Sequence, residues 1–376
     1  MAIVFTTALP QDQVLNAYNN SVIEFYSDVD QENVKATIAI DALTFEATPS
    51  PDDKYYFNFI SIIKTLINAN YFQDTIEPEN ENSIVYADDS LYKEIEATIT
   101  VEFDDGTTDQ TTINLSFIKA VDQEENYKRN LTNAQNSTIA LLLPFIPESN
   151  QDYHATYFEG YPFDVALYSD ADRTVTLKNT TTGLTSDVEV SKGVNRIFLS
   201  DGDNNFSVDE IIPLQVGINV ISLSVDDTPL INLHLTKADS ICGTYFKWFN
   251  DQGGWSYFLF HKYDRTLTTK ETESFTKDFQ NLSNADDRFY DMGVESEYEN
   301  KFFAMGITPV QMQLIEALKG SSKVYRYLNK RYQTGKRIDW ITDKIKPGKL
   351  RTFNRIRNTY DVQIETENTK QNKVAY

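Results

Sequence analysis

A chain of 376 residues has room for two or three domains, each long enough to bury its own core. Its 22 Tyr and 23 Phe, with abundant Val, Ile and Thr, favour strands over helices, and a net charge of −22 argues against a nucleic-acid binder acting through the whole chain. The longest apolar run, residues 139–146, is interrupted by Pro144 and is too short for a membrane span, so no membrane insertion is expected.

The charge is unevenly placed. Residues 1–240 hold 12 Lys and Arg against 39 Asp and Glu, a balance of −27; residues 241–376 hold 22 against 17, a balance of +5. Residues 319–357 alone carry 13 basic and two acidic side chains, +11. A chain with an acidic and a basic pole can pair with copies of itself, because complementary fields steer association and fix register. One cysteine, Cys242, excludes an internal disulfide framework. The opening MAIVFTTALPQDQ lacks the basic and apolar regions of a secretory signal, and both features fit assembly in a reducing cytoplasm.

The expected fold class is mainly β and multidomain: immunoglobulin-like β-sandwich domains, then a β-rich α+β domain with one short helix. Residues 1–128 form the first domain. Segments 21–26 and 34–40 read as strands, residues 59–69 carry apolar side chains at helical spacing, and strands 95–103 and 111–118 flank Asp104-Asp105-Gly106. Asp-Gly favours the turn types that match strand twist, so a hairpin is expected there; a solvated turn accounts for Asp104, Asp105 and Asp109 without a cation. Residues 123–135 are polar and charged and read as a linker. Short strands then recur at 163–168, 173–178, 187–190, 195–199, 218–225 and 229–236, the rhythm of an immunoglobulin-like sandwich over residues 137–240.

The third domain, residues 241–376, opens on an aromatic window. Tyr245, Phe246, Trp248 and Phe249 precede Asn250-Asp251-Gln252-Gly253-Gly254, and Trp255, Tyr257, Phe258 and Phe260 follow, so residues 242–261 read as a β-hairpin with both faces covered. Core packing is the expected use of these rings rather than a platform for sugars or bases. Cys242, just before the strand, reads as a small buried residue. Residues 264–287 suggest strands with exposed loops. Residues 307–318 form a helix capped by Thr308, with Pro309 at its first position and Gly320 closing it, and strands follow at 323–328, 337–342, 352–357 and 360–366.

Chemistry-bearing patterns are sparse. His154, His234 and His261 are the three histidines, none at metal-ligand spacing from another. Residues 201–209 alternate oxygen ligands as a calcium loop does, but Phe206 stands where Gly is required and Ile212 where the bidentate Glu should be, so a polar loop is expected. No nucleophile elbow, phosphate loop or dinucleotide fingerprint occurs, so no catalytic residue, metal site or cofactor is assigned. The basic run, interleaved with Tyr325, Tyr327, Tyr332, Trp340 and Phe353, reads first as a surface for the acidic half of a neighbouring copy, then as a solvated edge, then as a DNA contact. The candidate interface residues are Lys323, Arg326, Lys330, Arg331, Lys336, Arg337, Lys349, Arg351, Arg355 and Arg357.

Four stretches resemble structural tail proteins of bacteriophages that infect Bacteroidetes, including the crAss-like phages. Residues 15–25 (LNAYNNSVIEF) resemble their opening motif, with Asn20 in place of the usual Pro, and residues 158–162 (FEGYP) resemble the start of their second β-domain. Residues 245–257 (YFKWFNDQGGWSY) are similar to their Y-x-K-W-x-N-x-x-G-G-W/Y-x-Y signature, and Ser321 to Tyr325 with Trp340 to Asp343 resemble their ending. The resemblance implies a non-enzymatic virion protein, assembled in the host cytoplasm, forming a ring of six or twelve copies in the tail barrel or head–tail region. Its partners would be its own copies, other tail and ring proteins and, non-specifically, passing DNA. The alternative expectation is a receptor- or carbohydrate-binding adhesin, with a glycan-degrading tail enzyme ranked last.

Overall fold

The computed structural model describes residues 3–29, 33–69, 72–76, 84–122, 139–143, 152–201, 208–239, 242–276, 289–328, 340–348, 350–354 and 359–370. The expected linker and the calcium-like loop lie largely outside them. Contacts divide the chain into two units, Met1–Ser240 with Asn250–Ser256, and Ile241–Phe249 with Tyr257–Tyr376.

The first unit contains two sandwiches. Strands β1 (Ile3–Thr7), β2 (Val14–Asn16), β3 (Val22–Ser27), β4 (Asn33–Ile40), β5 (Leu43–Ala47) and β6 (Tyr55–Asn58) lead into helix α1 (Ile60–Ile67). After it come β7 (Val85–Ala87), β8 (Tyr92–Phe103) and β9 (Thr108–Ile118). One sheet has the order β2-β9-β8-β4-β5 and the facing one β1-β3-β6. Alternation sets the inward faces: Ala36, Ile38 and Ile40 of β4 and Ala97, Ile99 and Val101 of β8 are buried with Phe25, Tyr55 and Phe59. The Asp-Gly turn forms as its chemistry requires, with Gly106 at φ +81° and the Asp105 carboxylate accepting from the Thr107 N–H and hydroxyl.

The second sandwich repeats this wiring. Its strands are β10 (Ile139–Leu141), β11 (Asp152–Phe158), β12 (Pro162–Ser169), β13 (Arg173–Asn179), β14 (Thr185–Val190) and β15 (Gly193–Asp201). The short helix α2 (Val208–Ile211), β16 (Gly217–Val225) and β17 (Thr228–Ala238) complete it. The sheet β11-β17-β16-β13-β14 matches β2-β9-β8-β4-β5 strand for strand, and β10-β12-β15 matches β1-β3-β6. In each sandwich the second strand runs parallel to the last, β2 to β9 and β11 to β17, while the other pairings are antiparallel. Two facing, largely antiparallel sheets of this kind are the immunoglobulin-like arrangement. The two sandwiches are also interwoven: β7, which follows α1 in the first, pairs with β15 as the fourth strand of the second.

The second unit holds β18 (Thr244–Phe249) and most of β19 (Trp255–Phe260), then β20 (Lys262–Thr276), β21 (Phe289–Ile307) and α3 (Pro309–Gly320). Strands β22 (Val324–Tyr327), β23 (Trp340–Asp343), β24 (Arg351–Asn354), β25 (Tyr360–Glu365) and β26 (Thr369–Lys370) complete it. Its sheets are β19-β18-β22-β23 and β20-β21-β25-β24, with β26 also on β21. Helix α3 starts on a full capping box: Thr308 accepts from the Gln311 N–H, and the Gln311 side chain accepts from the Thr308 N–H. Gly320 is the last helical residue rather than the one beyond it, and the cap is Ser321.

One expectation is corrected. Cys242 is exposed, not buried. The tight approach is taken by the next residue, Gly243, where a Cβ would lie 2.6 Å from the Phe260 carbonyl oxygen, so the larger side chain stays outside. Of residues 264–287, expected as strands with exposed loops, residues 264–276 continue one strand from Lys262 and the rest lie outside the described residues. Strand β21, its partner, has no counterpart in the sequence reading.

Candidate assembly interface

Two features organise the described residues: a buried charge cluster in the first unit and a long ribbon in the second. The cluster centres on Arg196 of β15, whose side chain is 1% exposed. Its guanidinium grips Asp164 of β12 bidentately, Nε to Oδ2 at 2.9 Å and Nη2 to Oδ1 at 2.8 Å. Nη1 donates to Asp74 at 2.5 Å, and Asp88 stands 4.0 Å away. The planar fork suits paired carboxylates, and each bond is charge-assisted. Asp74 and Asp88 flank β7, so the network fastens the segment that leaves the first sandwich to the sheet of the second. Buried to this degree, the group acts as a strap rather than as chemistry offered to solvent.

Asp88 is held differently from its neighbours. Burial, aided by the nearby Asp74 charge, pushes its carboxyl above the usual carboxylate range, against hydrogen bonds from Ser90 and the attraction of Arg196. A carboxyl with a raised folded-state pKa favours folding when protonated, and that stability is lost as pH rises through the raised value. Asp88→Asn is therefore expected to be at least as stable as the native chain at pH 7.5, with the difference narrowing toward pH 4. Urea midpoints at the two pH values check this; a loss above about 1 kcal/mol at pH 7.5 would mean that attraction to Arg196 outweighs burial.

The turn of the aromatic hairpin, residues 250–256, packs within the same unit. The Val121 N–H donates to the Asp251 carbonyl at 2.8 Å, and the Asn250 side chain accepts from the Gln252 and Gly254 N–H groups. Trp255 stacks on Phe72, centroids 5.8 Å apart, and Arg196 lies over its ring at 5.6 Å. The two glycines serve different needs. Gly253 takes φ +88°, whereas a Cβ on Gly254 would sit 2.3 Å from the Leu142 carbonyl oxygen. In the second unit Trp248, Tyr245 and Phe246 are buried, with Tyr245 stacked on Tyr257 at 5.9 Å and Lys247 lying 4.2 Å over Trp340. These rings are core, as expected.

The ribbon is the exposed feature. β20 and β21 pair from Lys262↔Phe303 to Thr276↔Phe289, about 45–50 Å of strand at ordinary rise. β25 covers the other edge of β21 only from Lys301 to Ile307, and β26 meets it at Glu297 and Tyr298. Among the described residues, Phe289 to Ser296 pair with β20 alone. Strand β20 is the sheet edge, and residues 262–270 are exposed at every position, so neither of its faces is covered there. Leu267 is 48% and Tyr263 44% exposed. Tyr263 stacks on Phe302 and donates to Asn300 at 2.7 Å, and Arg265 lies 3.3 Å over the Tyr298 ring. A two-stranded hairpin is marginal by itself, and an open edge is a template for another chain. The mixed charges of Lys262, Asp264, Arg265 and Lys270 are of the kind that discourages indiscriminate pairing of an open edge.

Of the ten basic residues expected at an interface, Lys323 and Arg326 have described side chains. Lys323 is half-buried, and its carbonyl accepts from the Phe249 N–H and the Ser321 hydroxyl. Arg326 of β22 is partnered within the chain: its Nε stands 3.2 Å from Asp343 Oδ2 of β23, whose carboxyl burial pushes upward. Arg351 opens β24 with its side chain outside the described set. Lys330, Arg331, Lys336, Arg337, Lys349, Arg355 and Arg357 lie outside the described residues. Eight of the ten side chains thus lie outside the described set, and the ribbon is a further exposed feature that the sequence reading did not single out. The signal for the ribbon was the polarity of residues 262–276 on both strand faces.

Among the described residues, no three His, Cys, Asp or Glu converge as a metal site would require, and no helix is long and apolar enough to cross a membrane.

No family model matches the chain, and no curated protein matches it. Solved structures that it is similar to include fibronectin(III)-like modules of CbhA from Clostridium thermocellum, at 9% identity over 63% of this chain and 95% of that one, with a TM-score of 0.21. Another is a Ca2+-stabilised adhesin of an ice-binding Antarctic bacterium, at 12% identity over 98% of this chain and 72% of that one, TM-score 0.18. A third, from a 1.5-MDa bacterial ice-binding adhesin, has 10% identity over 94% of this chain and 82% of that one, TM-score 0.18. The mainly β, immunoglobulin-like reading stands on the strand order itself.

Proposed function

We propose that this chain is a non-enzymatic building block that assembles with copies of itself through the β20–β21 ribbon. In its finer form the assembly is a ring of six or twelve copies in a bacteriophage tail, surrounding the DNA conduit and contacting neighbouring tail proteins. The basic residues from Lys323 to Arg357 then face the acidic first unit of an adjacent copy. The observation that carries this reading is β20, an edge strand exposed on both faces over residues 262–270 and longer than the sheet that supports it. The Arg196 strap and the interwoven β7 support it, since they make the first unit a stiff body suited to bearing load.

Sedimentation velocity of the full chain over a wide concentration range tests the proposal. Species larger than the monomer are expected, with association reduced at high salt. Leu267→Asp, at an exposed position of β20, is expected to weaken association at least tenfold, while Leu184→Asp, in an exposed turn of the first unit, leaves it unchanged. A chain that stays monomeric throughout, or equal effects of the two variants, would sink the ribbon as the interface.

A further inference from the structure

Strand β20 turns an open edge outward, and the order of its side chains restricts how a second copy can meet it. Its register with β21 runs without a shift from Lys262 to Glu271, so its N–H and C=O groups alternate regularly between β21 and the open side. Residues opposed across an antiparallel pair either both turn these groups inward or both turn them away. A strand paired antiparallel with its own copy therefore matches even-numbered residues with even and odd with odd. Five registers obey this and overlap by about the usual length of a strand, five residues or more, within the exposed stretch 262–270. Centring the pair on Asp264 or Arg265 sets that charge against its own copy, and centring it on Thr266 sets Lys262 against Lys270. Centring it on Thr268 opposes no two charges within the stretch. Centring it on Leu267 places Asp264 opposite Lys270 twice, once on each side of the axis.

We propose, on the reading that the ribbon is the assembly surface, that β20 pairs antiparallel with β20 of a second copy across a two-fold axis at Leu267, Asp264 and Lys270 forming reciprocal ion pairs. Directly opposed side chains of antiparallel strands interact as pairs, opposite charges stabilising and like charges destabilising. Asp264 and Lys270 are both exposed, and among the described residues neither has an ion pair within the chain. Thr266 and Thr268 face each other between the two ion pairs, a pairing that hydroxyls favour. On the opposite face Leu267, 48% exposed, meets its own copy, and Arg265 stands against Thr269. A contact of this kind is isologous and closes on two copies, so a ring of six or twelve is built from such pairs through a second, different contact.

Sedimentation velocity of full-chain variants tests the register. Asp264→Lys and Lys270→Asp should each weaken self-association at least tenfold, because each sets like charges opposite one another. A one-to-one mixture of the two variants, and the double variant, should associate within about threefold of the native chain. The chains in the mixture are those that fail alone, so recovery there comes only from pairing between copies. In a Cys242→Ser background, Leu267→Cys should form a disulfide-linked dimer with oxidised glutathione, since opposed Cα atoms lie about 4.5–5.5 Å apart. Thr269→Cys, roughly 14 Å from its counterpart in this register, should not. Association that is lost in Leu267→Asp but not recovered in the mixture, or cross-linking through Thr269→Cys and not through Leu267→Cys, overturns the register and leaves the ribbon as the interface. A native chain that stays monomeric overturns both.

Discussion

Arg196→Met is expected to lower the stability of the first unit by about 3–5 kcal/mol at neutral pH, because it leaves buried carboxylates without their cation. Asp164 and Asp74 have side-chain exposures of 0% and 1%, so neither can recover hydration in place. The triple change Arg196→Met, Asp164→Asn, Asp74→Asn should recover most of the loss at neutral pH, since it removes the stranded charges as well. Urea unfolding followed by tryptophan emission reports the event directly, Trp255 lying beside the network. A single-variant loss under about 1 kcal/mol would show the strap to be dispensable.

The second large effect is expected at Gly254. Its missing Cβ is space already occupied: the Leu142 carbonyl oxygen would be 2.3 Å and Ala166 Cβ 3.1 Å away. Gly254→Ala should cost about 2–3 kcal/mol or prevent folding, because the nearest obstacle is backbone and cannot rotate aside. Gly183 provides the contrast, with φ +79° and open space around its Cα. Gly183→Asn should lose less than about 1 kcal/mol, since Asn tolerates the left-handed region, while Gly254→Asn should be no better than Gly254→Ala. Equal losses at the two positions in thermal unfolding would remove close packing as the reason for Gly254.

Local chemistry was legible where it is self-contained. Asp104-Asp105-Gly106, Thr308 with Pro309, and the alternation through Ala36, Ile38 and Ile40 each satisfy their own backbone or face requirements within a few residues. β21 was not legible because polar residues interrupt its apolar stripe. Glu295, Glu297, Glu299 and Lys301 share one parity, and the other mixes buried Ser296 and Asn300 with Tyr298, Phe302 and Ala304, so the two-residue period in hydrophobicity is broken by polar residues. The exposed edge of β20 was not singled out for a similar reason: charge density drew attention to the basic run that includes Lys323 and Arg326, while β20 lies in an electrically mixed segment.

Composition, turn residues and strand rhythm determined by themselves that this is a mainly β chain with immunoglobulin-like sandwiches and an aromatic hairpin used as core. Only tertiary structure decided that β7 joins the second sandwich and that Arg196 gathers Asp164 and Asp74. Periodicity records which face of a strand is buried, and that information is local. Which strand lies alongside, and in what register, depends on closing loops of many tens of residues, and no single segment carries that constraint.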